Sequence, residues 1–166
     1  IFDPVLCELS YLWFSQKGAK ILDPFSFGIV RGITASFLGR SYTGIDIRKE
    51  QVNANKAEWE KIGKKEYIEP IWNVGDSRNI LDIANGEYDL IFSCDLEVYS
   101  DLKGDISNMG YKDFKKTYYE IIQKSCQLLK NNRFACFVVG DFRDSNGMYQ
   151  NFVSHTIEAF ENAGLK

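Results

Sequence analysis

Histidine is almost missing from this chain: His155 is the single one in 166 residues. Imidazole-based triads and multi-histidine metal sites are thereby nearly excluded, and a lone histidine between Val153 and Ile157 in a late helical stretch reads as a surface or boundary residue. No Cys-x-x-Cys pair occurs among Cys7, Cys94, Cys126 and Cys136. Each lies in or beside an apolar run, so the expectation is buried, free thiols in a reducing compartment, with no metal and no disulfide. No apolar run approaches the roughly 20 residues that cross a bilayer, and no charged-then-apolar leader opens the chain. A soluble, intracellular chain with no membrane partner is expected. Basic character is lacking too: net charge is −3 with a pI near 5.3. That balance does not advertise a nucleic-acid binder, although a local basic face can supply phosphate contacts that the average conceals.

What is present suffices for one domain with a real core, since 45% of residues are hydrophobic and 14% aromatic. The chain is organised around Ile21-Leu22-Asp23-Pro24-Phe25-Ser26-Phe27-Gly28. An apolar run from Ala19 to Leu22 ends in an acid, turns, and enters a helical stretch from Ile29 to Leu38 that stops at Gly39. That is how a parallel sheet opens a small-molecule site at a strand's carboxyl end. A carboxylate there can hold an ammonium group, and the N–H groups of the next helix can receive a carboxylate, so the loop suits an amino acid derivative.

A second strand, Tyr42 to Ile47, places Asp46 at its end, 23 residues beyond Asp23. An acid about 20 residues on sits beside a ribose and accepts from its hydroxyls. Before the first strand, Asp3 and Pro4 cap a helix whose Val5, Leu6, Leu9, Leu12 and Trp13 are expected to pack inward, with Lys17-Gly18 as its stop. After the second strand come a charged helix from Arg48 to Ile62, a strand from Ile71 to Val74 and a turn with Asp76 and Ser77. A buried strand follows from Tyr88 to Ser93 and a long polar stretch from Cys94 to Gly110. The remainder reads as a helix from Tyr111 to Lys130, a strand from Phe134 to Val139 and a helix from Asn151 to Ala163. Lys112, Lys115 and Lys116 read as a solvated face rather than a DNA contact. Five strands alternating with helices predict an α/β fold with a doubly wound, mostly parallel Rossmann-like sheet and helices on both faces.

Asp23-Pro24-Phe25-Ser26-x-Gly28 resembles the S-adenosylmethionine loop, Asp-Pro-Phe-x-Gly-x-Gly, of the amino-methylating DNA methyltransferases. Phe27 stands where that family has its first glycine. Gly44-Ile45-Asp46-Ile47 resembles the family's second cofactor motif, Phe2-Asp3-Pro4 its opening segment, and the stretch 95–101 with Ser107-Asn108-Met109 a group of phage and bacterial members. The resemblance implies S-adenosylmethionine as cofactor, with Asp3, Pro4, Asp23, Pro24, Phe25, Ser26 and Gly28 toward its methionine end. Asp46 and Ile47 would meet the ribose, and Asp76 and Ser77 the adenine. It further implies double-stranded DNA as partner, methylation of adenine N6 or cytosine N4, and the cytoplasm of a bacterial or phage-infected cell. The family's sheet continues into an antiparallel pair of strands that this sequence is expected to lack.

The family's catalytic loop, Asp/Asn/Ser-Pro-Pro-aromatic, would follow Ser93 and Cys94, the candidate catalytic residues. Here the sequence runs Cys94-Asp95-Leu96-Glu97-Val98-Tyr99, as though about four residues were absent after Cys94. An alternative is therefore a binding module that keeps the fold without chemistry. A nicotinamide-dependent Rossmann oxidoreductase is disfavoured: the loop reads Gly28-x-x-x-Gly32, not Gly-x-Gly-x-x-Gly, and Asp23-Pro24 occupies the turn where a pyrophosphate needs bare backbone.

Overall fold

The computed structural model describes residues 2–94, 102 and 104–166. Five strands, β1 (Lys20–Asp23), β2 (Ser41–Asp46), β3 (Ile71–Val74), β4 (Tyr88–Cys94) and β5 (Leu129–Val138), form one sheet in the order β3-β2-β1-β4-β5. All neighbouring pairs are parallel, so the expected doubly wound α/β fold is found. The chain steps outward from β1 to β3, then crosses β1 to place β4 on its other side. That reversal opens a crevice at the carboxyl ends of β1 and β4.

The helices are α1 (Pro4–Phe14), α2 (Val30–Phe37), α3 (Lys49–Ile62), α4 (Ile80–Ile83), α5 (Tyr111–Gln127) and α6 (Phe152–Asn162). Cys7, Tyr11, Ala35, Val52 and Trp59 of α1, α2 and α3 meet Ile21, Tyr42, Trp72, Leu90 and Phe92 of the strands in one core. On the opposite face Ile80 and Ala84 pack on Leu22, Ile45 and Ile91, while Phe114, Tyr118 and Ile122 of α5 meet Phe152 of α6. Central β4 is buried from Tyr88 to Ser93, which explains its uninterrupted apolar run.

Three expectations need correction. In α1, Asp3 is the N-cap, accepting from the Val5 and Leu6 amides, but the helix docks through Cys7, Ser10 and Tyr11. Val5 and Trp13 are 61% and 71% exposed, and Leu6, Leu9 and Leu12 also face out. The narrower stripe wins because Tyr11 sets its ring edge-on against Phe92 and donates its hydroxyl to the Arg31 carbonyl. Second, α5 ends at Gln127 rather than Lys130, because β5 already pairs with β4 at Leu129, ahead of a register shift. Asn132 adopts the left-handed region, φ 56°, where Asn is tolerated. Lys130 and Arg133 in this irregular segment bond the Asp89 carboxylate. Third, a single helical turn, α4, stands between β3 and β4 where no helix was expected. No helix among the described residues is long and apolar enough to cross a membrane.

Candidate functional site

A cavity of about 940 Å³ lies over the carboxyl edge of the sheet, lined by segments that follow all five strands. Such a volume suits a small organic ligand. Of the candidate site residues, Asp3, Pro24, Phe25, Ser26, Gly28, Asp46, Ile47, Asp76, Ser77 and Cys94 line it. Asp23, Ser93 and Pro4 do not, and the first two have a physical reason.

Asp23 is entirely buried, and its carboxylate is filled by the protein's own donors. Oδ2 accepts from Arg31 Nε at 2.6 Å and from the Tyr42 hydroxyl at 2.7 Å; Oδ1 accepts from Ser93 Oγ at 2.7 Å and the Phe25 amide at 3.2 Å. The expectation that Asp23 holds a ligand's ammonium is therefore corrected, because a guanidinium already stands there. Ser93 likewise spends its hydroxyl on Asp23 beneath the cavity floor instead of facing a substrate. Pro4 sits in the exposed first turn of α1, off the cavity wall.

Arg31 unites the two central strand ends. Besides Asp23, it bonds the Phe25 carbonyl at 2.8 Å and Cys94 Sγ, and its guanidinium lies 5.3 Å from the centre of the Phe2 ring. Burial is the largest influence and would lower its pKa, yet the Asp23 charge, the neighbouring Tyr42 and Cys94 and the Asp23 hydrogen bond together raise it well above the ordinary arginine value. Arg31 is charged at any working pH. Cys94, at the end of β4, thus presents its sulfur beside a permanent cation on the cavity wall.

The acids at the ends of β2 and β3 share one motif, Asp-x-Arg. Asp46 accepts from the Arg48 amide at 2.8 Å, Arg48 Nε at 3.1 Å and Arg48 Nη2 at 2.8 Å. Asp76 accepts from the Arg78 amide at 2.9 Å and from Arg78 Nε and Nη2. Their acidities nevertheless move in opposite directions. For Asp46, burial outweighs the Arg48 bonds and raises the pKa; for Asp76, burial is smaller and the Arg78 bonds prevail, lowering it. Only the more buried acid keeps a carboxylate that resists ionisation.

Phe27 faces the cavity, outside the main core clusters, with the Arg48 guanidinium 4.5 Å from its ring centre. A Cβ added at Gly28 would meet nothing within 4 Å, so bare backbone faces open space. Gly44 is the opposite case: its Cβ would stand 2.6 Å from Ser26 Oγ and 2.8 Å from the Tyr42 ring. The loop after β1 closes down on β2 only because residue 44 has no side chain.

Sequence reasoning missed Arg31, Arg48 and the cavity's far wall at Val138, Val139 and Gly140. Signals existed for the first two: Arg31 is the single charge in the α2 sequence Val-Arg-Gly-Ile-Thr-Ala-Ser-Phe, and the Asp-x-Arg spacing occurs at two consecutive strand ends. Among the described residues no group of three or more His, Cys, Asp or Glu could hold a metal ion. The proposed catalytic stretch 95–101 lies outside the described residues.

No protein-family model matches the chain, and no curated protein does. Solved structures do. The chain is similar to TrmN from Thermus thermophilus, with TM-score 0.65 and 15% identity, covering 83% of this chain and 38% of that one. It is similar to a TehB-like SAM-dependent methyltransferase from Corynebacterium glutamicum, with TM-score 0.58 and 18% identity, covering 96% and 73%. For a SAM-dependent O-methyltransferase from Thermotoga maritima the values are 0.65, 14%, 98% and 51%. The chain thus spans about two fifths to three quarters of these proteins. The fold is that of the S-adenosylmethionine-dependent methyltransferases.

Proposed function

We propose that this domain binds S-adenosylmethionine and belongs, in function, with enzymes that methylate an exocyclic amino group of a DNA base. One observation carries the cofactor reading: the cavity at the strand-order reversal is walled by Asp46 on one side and by the bare Gly28 backbone on the other. Asp46 would accept from the ribose hydroxyls, Ile47, Asp76 and Ser77 would flank the adenine, and the Pro24–Gly28 loop would meet the methionine. With Asp23 committed to Arg31, Asp3 on the cavity wall is an acid that could receive the cofactor's ammonium; its two backbone bonds both fall on Oδ1.

When bound, the cofactor supplies an electrophilic methyl group. The chain's own residues hold and orient it. Arg31 fixes the ends of β1 and β4 relative to each other, so that Cys94 marks the place on the rim where an acceptor amine approaches. Methylating an amine demands in-line positioning more than acid or base strength, which agrees with a site lacking histidine.

The assignment to DNA amines is supported by the sequence resemblance of the Asp23-Pro24-Phe25 loop, of Gly44 to Ile47 and of the stretch 95–101. A second reading, a cofactor-binding module without chemistry, is favoured by the missing Pro-Pro-aromatic after Cys94. Calorimetric titration with S-adenosylmethionine and S-adenosylhomocysteine tests the ground common to both. Saturable binding of either is expected, and no heat with either at millimolar concentration would overturn the cofactor reading.

A further inference from the structure

The Asp46 carboxylate is the wall of the cavity best suited to a sugar, and it is already taken. Oδ1 accepts from both the Arg48 amide and Arg48 Nε, which fills its two lone-pair directions, and Oδ2 accepts from Arg48 Nη2. Vicinal hydroxyls approaching this carboxylate need one oxygen each. They can have both only if the guanidinium withdraws, whereas the amide bond within the turn can stay. Arg48 is kept in place from above, because the Phe27 ring covers its flat face at 4.5 Å. The pair is withdrawn from water, with side-chain exposures of 18% for Arg48 and 4% for Asp46.

We infer that Arg48, clamped by Phe27, is an internal competitor for the ribose seat on Asp46 and thereby sets how tightly this domain binds its nucleoside ligand. The inference rests on the cofactor reading above and adds the residue pair that weakens binding. A cationic plug also disfavours S-adenosylmethionine more than S-adenosylhomocysteine, because the former carries a sulfonium charge. Phe27, in the position of a glycine, therefore acts through Arg48 rather than by filling the seat itself.

The test is calorimetric titration of the whole chain, wild type, Arg48→Ala and Phe27→Leu, with three probes: S-adenosylhomocysteine, adenosine and 2′,3′-dideoxyadenosine. Arg48→Ala is expected to bind the first two about fivefold to tenfold more tightly, the scale of one displaced ion pair at a partly shielded site. Phe27→Leu should give a smaller gain of the same sign, since the ring contact is lost while the arginine remains. The gain must vanish with 2′,3′-dideoxyadenosine, which lacks the vicinal 2′ and 3′ hydroxyls that would compete; an equal gain there would mean a general change in the cavity and overturn the inference. Weaker or unchanged binding of adenosine by Arg48→Ala would also overturn it, as it would mean that Arg48 contacts the ligand or is indifferent to it. Should Arg48→Ala fail to fold by circular dichroism, Phe27→Leu decides alone. Absence of binding by wild type and both variants to all three probes would overturn the cofactor reading itself, whereas binding by wild type with no gain in the variants overturns only the role of Arg48.

Discussion

Asp23 and Arg31 form an ion pair whose Nε–Oδ2 distance is 2.6 Å and whose side chains are 0% and 2% exposed. A charge taken so far out of water is tolerable only while its partner and hydrogen bonds remain in place. Asp23→Ala is expected to destabilise the domain by about 3–5 kcal/mol, because it strands the guanidinium and removes the acceptor for Tyr42 and Ser93 together. Urea unfolding measures it, with Arg143→Ala, at an exposed position, as a reference for ordinary arginine loss. A change under 1 kcal/mol, on the scale of an exposed pair, would mean that the site relaxes to admit water.

Gly28 and Gly44 separate binding from folding. A methyl group at residue 44 would meet Ser26 and Tyr42, the first at 2.6 Å, and both hydroxyls belong to the Asp23 network. Gly44→Ala should therefore lower stability by about 1–3 kcal/mol, the usual scale for overpacking. At residue 28 the methyl enters open cavity, so Gly28→Ala should leave the melting temperature within a degree or so, given the ~0.5 kcal/mol scale of surface changes, while weakening S-adenosylhomocysteine binding. Melting curves and calorimetry on the same two variants check it. Equal stability losses in both would place Gly28 in the packed loop instead of at the ligand.

Much of this arrangement could be read from the residues. Apolar runs ending in acids marked β1 and β2, and Gly39 ended α2 with φ 71° as a glycine stop should. What could not be read was where long side chains reach. Asp23 was legible as an acid at a strand end, but whether a ligand or Arg31 answers it depends on α2 folding back over β1. The stripe on α1 misled for a related reason: periodicity reports which residues share a face, and only tertiary contacts of Tyr11 decide which face turns in. The early start of β5 was hidden because Lys130-Asn131-Asn132-Arg133 has no apolar alternation. Its pairing is instead held by Asp89 from the neighbouring strand.

Asp89 accepts from Lys130 Nζ at 2.8 Å, Arg133 Nε at 3.3 Å and the Lys20 amide at 3.0 Å. Burial acts to raise its pKa, but the Lys130 bond, the Lys20 amide and Arg133 together hold it below the ordinary 3.8. A depressed carboxyl stabilises the fold above its unfolded pKa and loses that contribution as pH falls through the folded value. Wild type should thus exceed Asp89→Asn in stability at neutral pH by no more than about 1 kcal/mol, as both cationic partners are more than a third exposed. The gap should close below pH 3.8. Unfolding free energies from pH 7 down through the acid range provide the check, and a gap that widens on acidification would contradict the assignment.

Asp46 offers a direct test of the ribose seat. Asp46→Ala removes the acceptor whether or not Arg48 competes for it, and should weaken S-adenosylhomocysteine binding by about 1.5–3 kcal/mol, the scale of hydrogen bonds to a charged group. Its raised pKa adds a sign: protonation removes a lone pair and the charge, so binding by wild type should weaken as pH falls through that raised value, and the variant should show no such slope. Parallel pH profiles for the two proteins would remove Asp46 from the site.

β4 carries Cys94 to the carboxyl edge, where it lines the same cavity as Asp46, Asp76 and the Pro24–Gly28 loop, so under the proposed function a methyl acceptor would come to rest close to it. The sequence then continues Asp95-Leu96-Glu97 with neither a Pro-Pro turn nor an aromatic ring next to the cysteine. An acceptor base would lack the carbonyl that takes its amine proton and the ring on which it stacks, and stacking alone contributes ~1–3 kcal/mol per base. The chain as written is therefore expected to bind the cofactor yet transfer no methyl group to DNA. Inserting Pro-Pro-Tyr and one further residue between Cys94 and Asp95 should produce transfer, most readily in the Phe27→Leu background where the ribose seat is easier to fill. The assay is radiolabelled methyl transfer to mixed-sequence duplex DNA, with heat-denatured DNA alongside to relieve the cost of turning the base out. Robust transfer by the uninserted chain would show that the acceptor is positioned by groups other than a loop after Cys94.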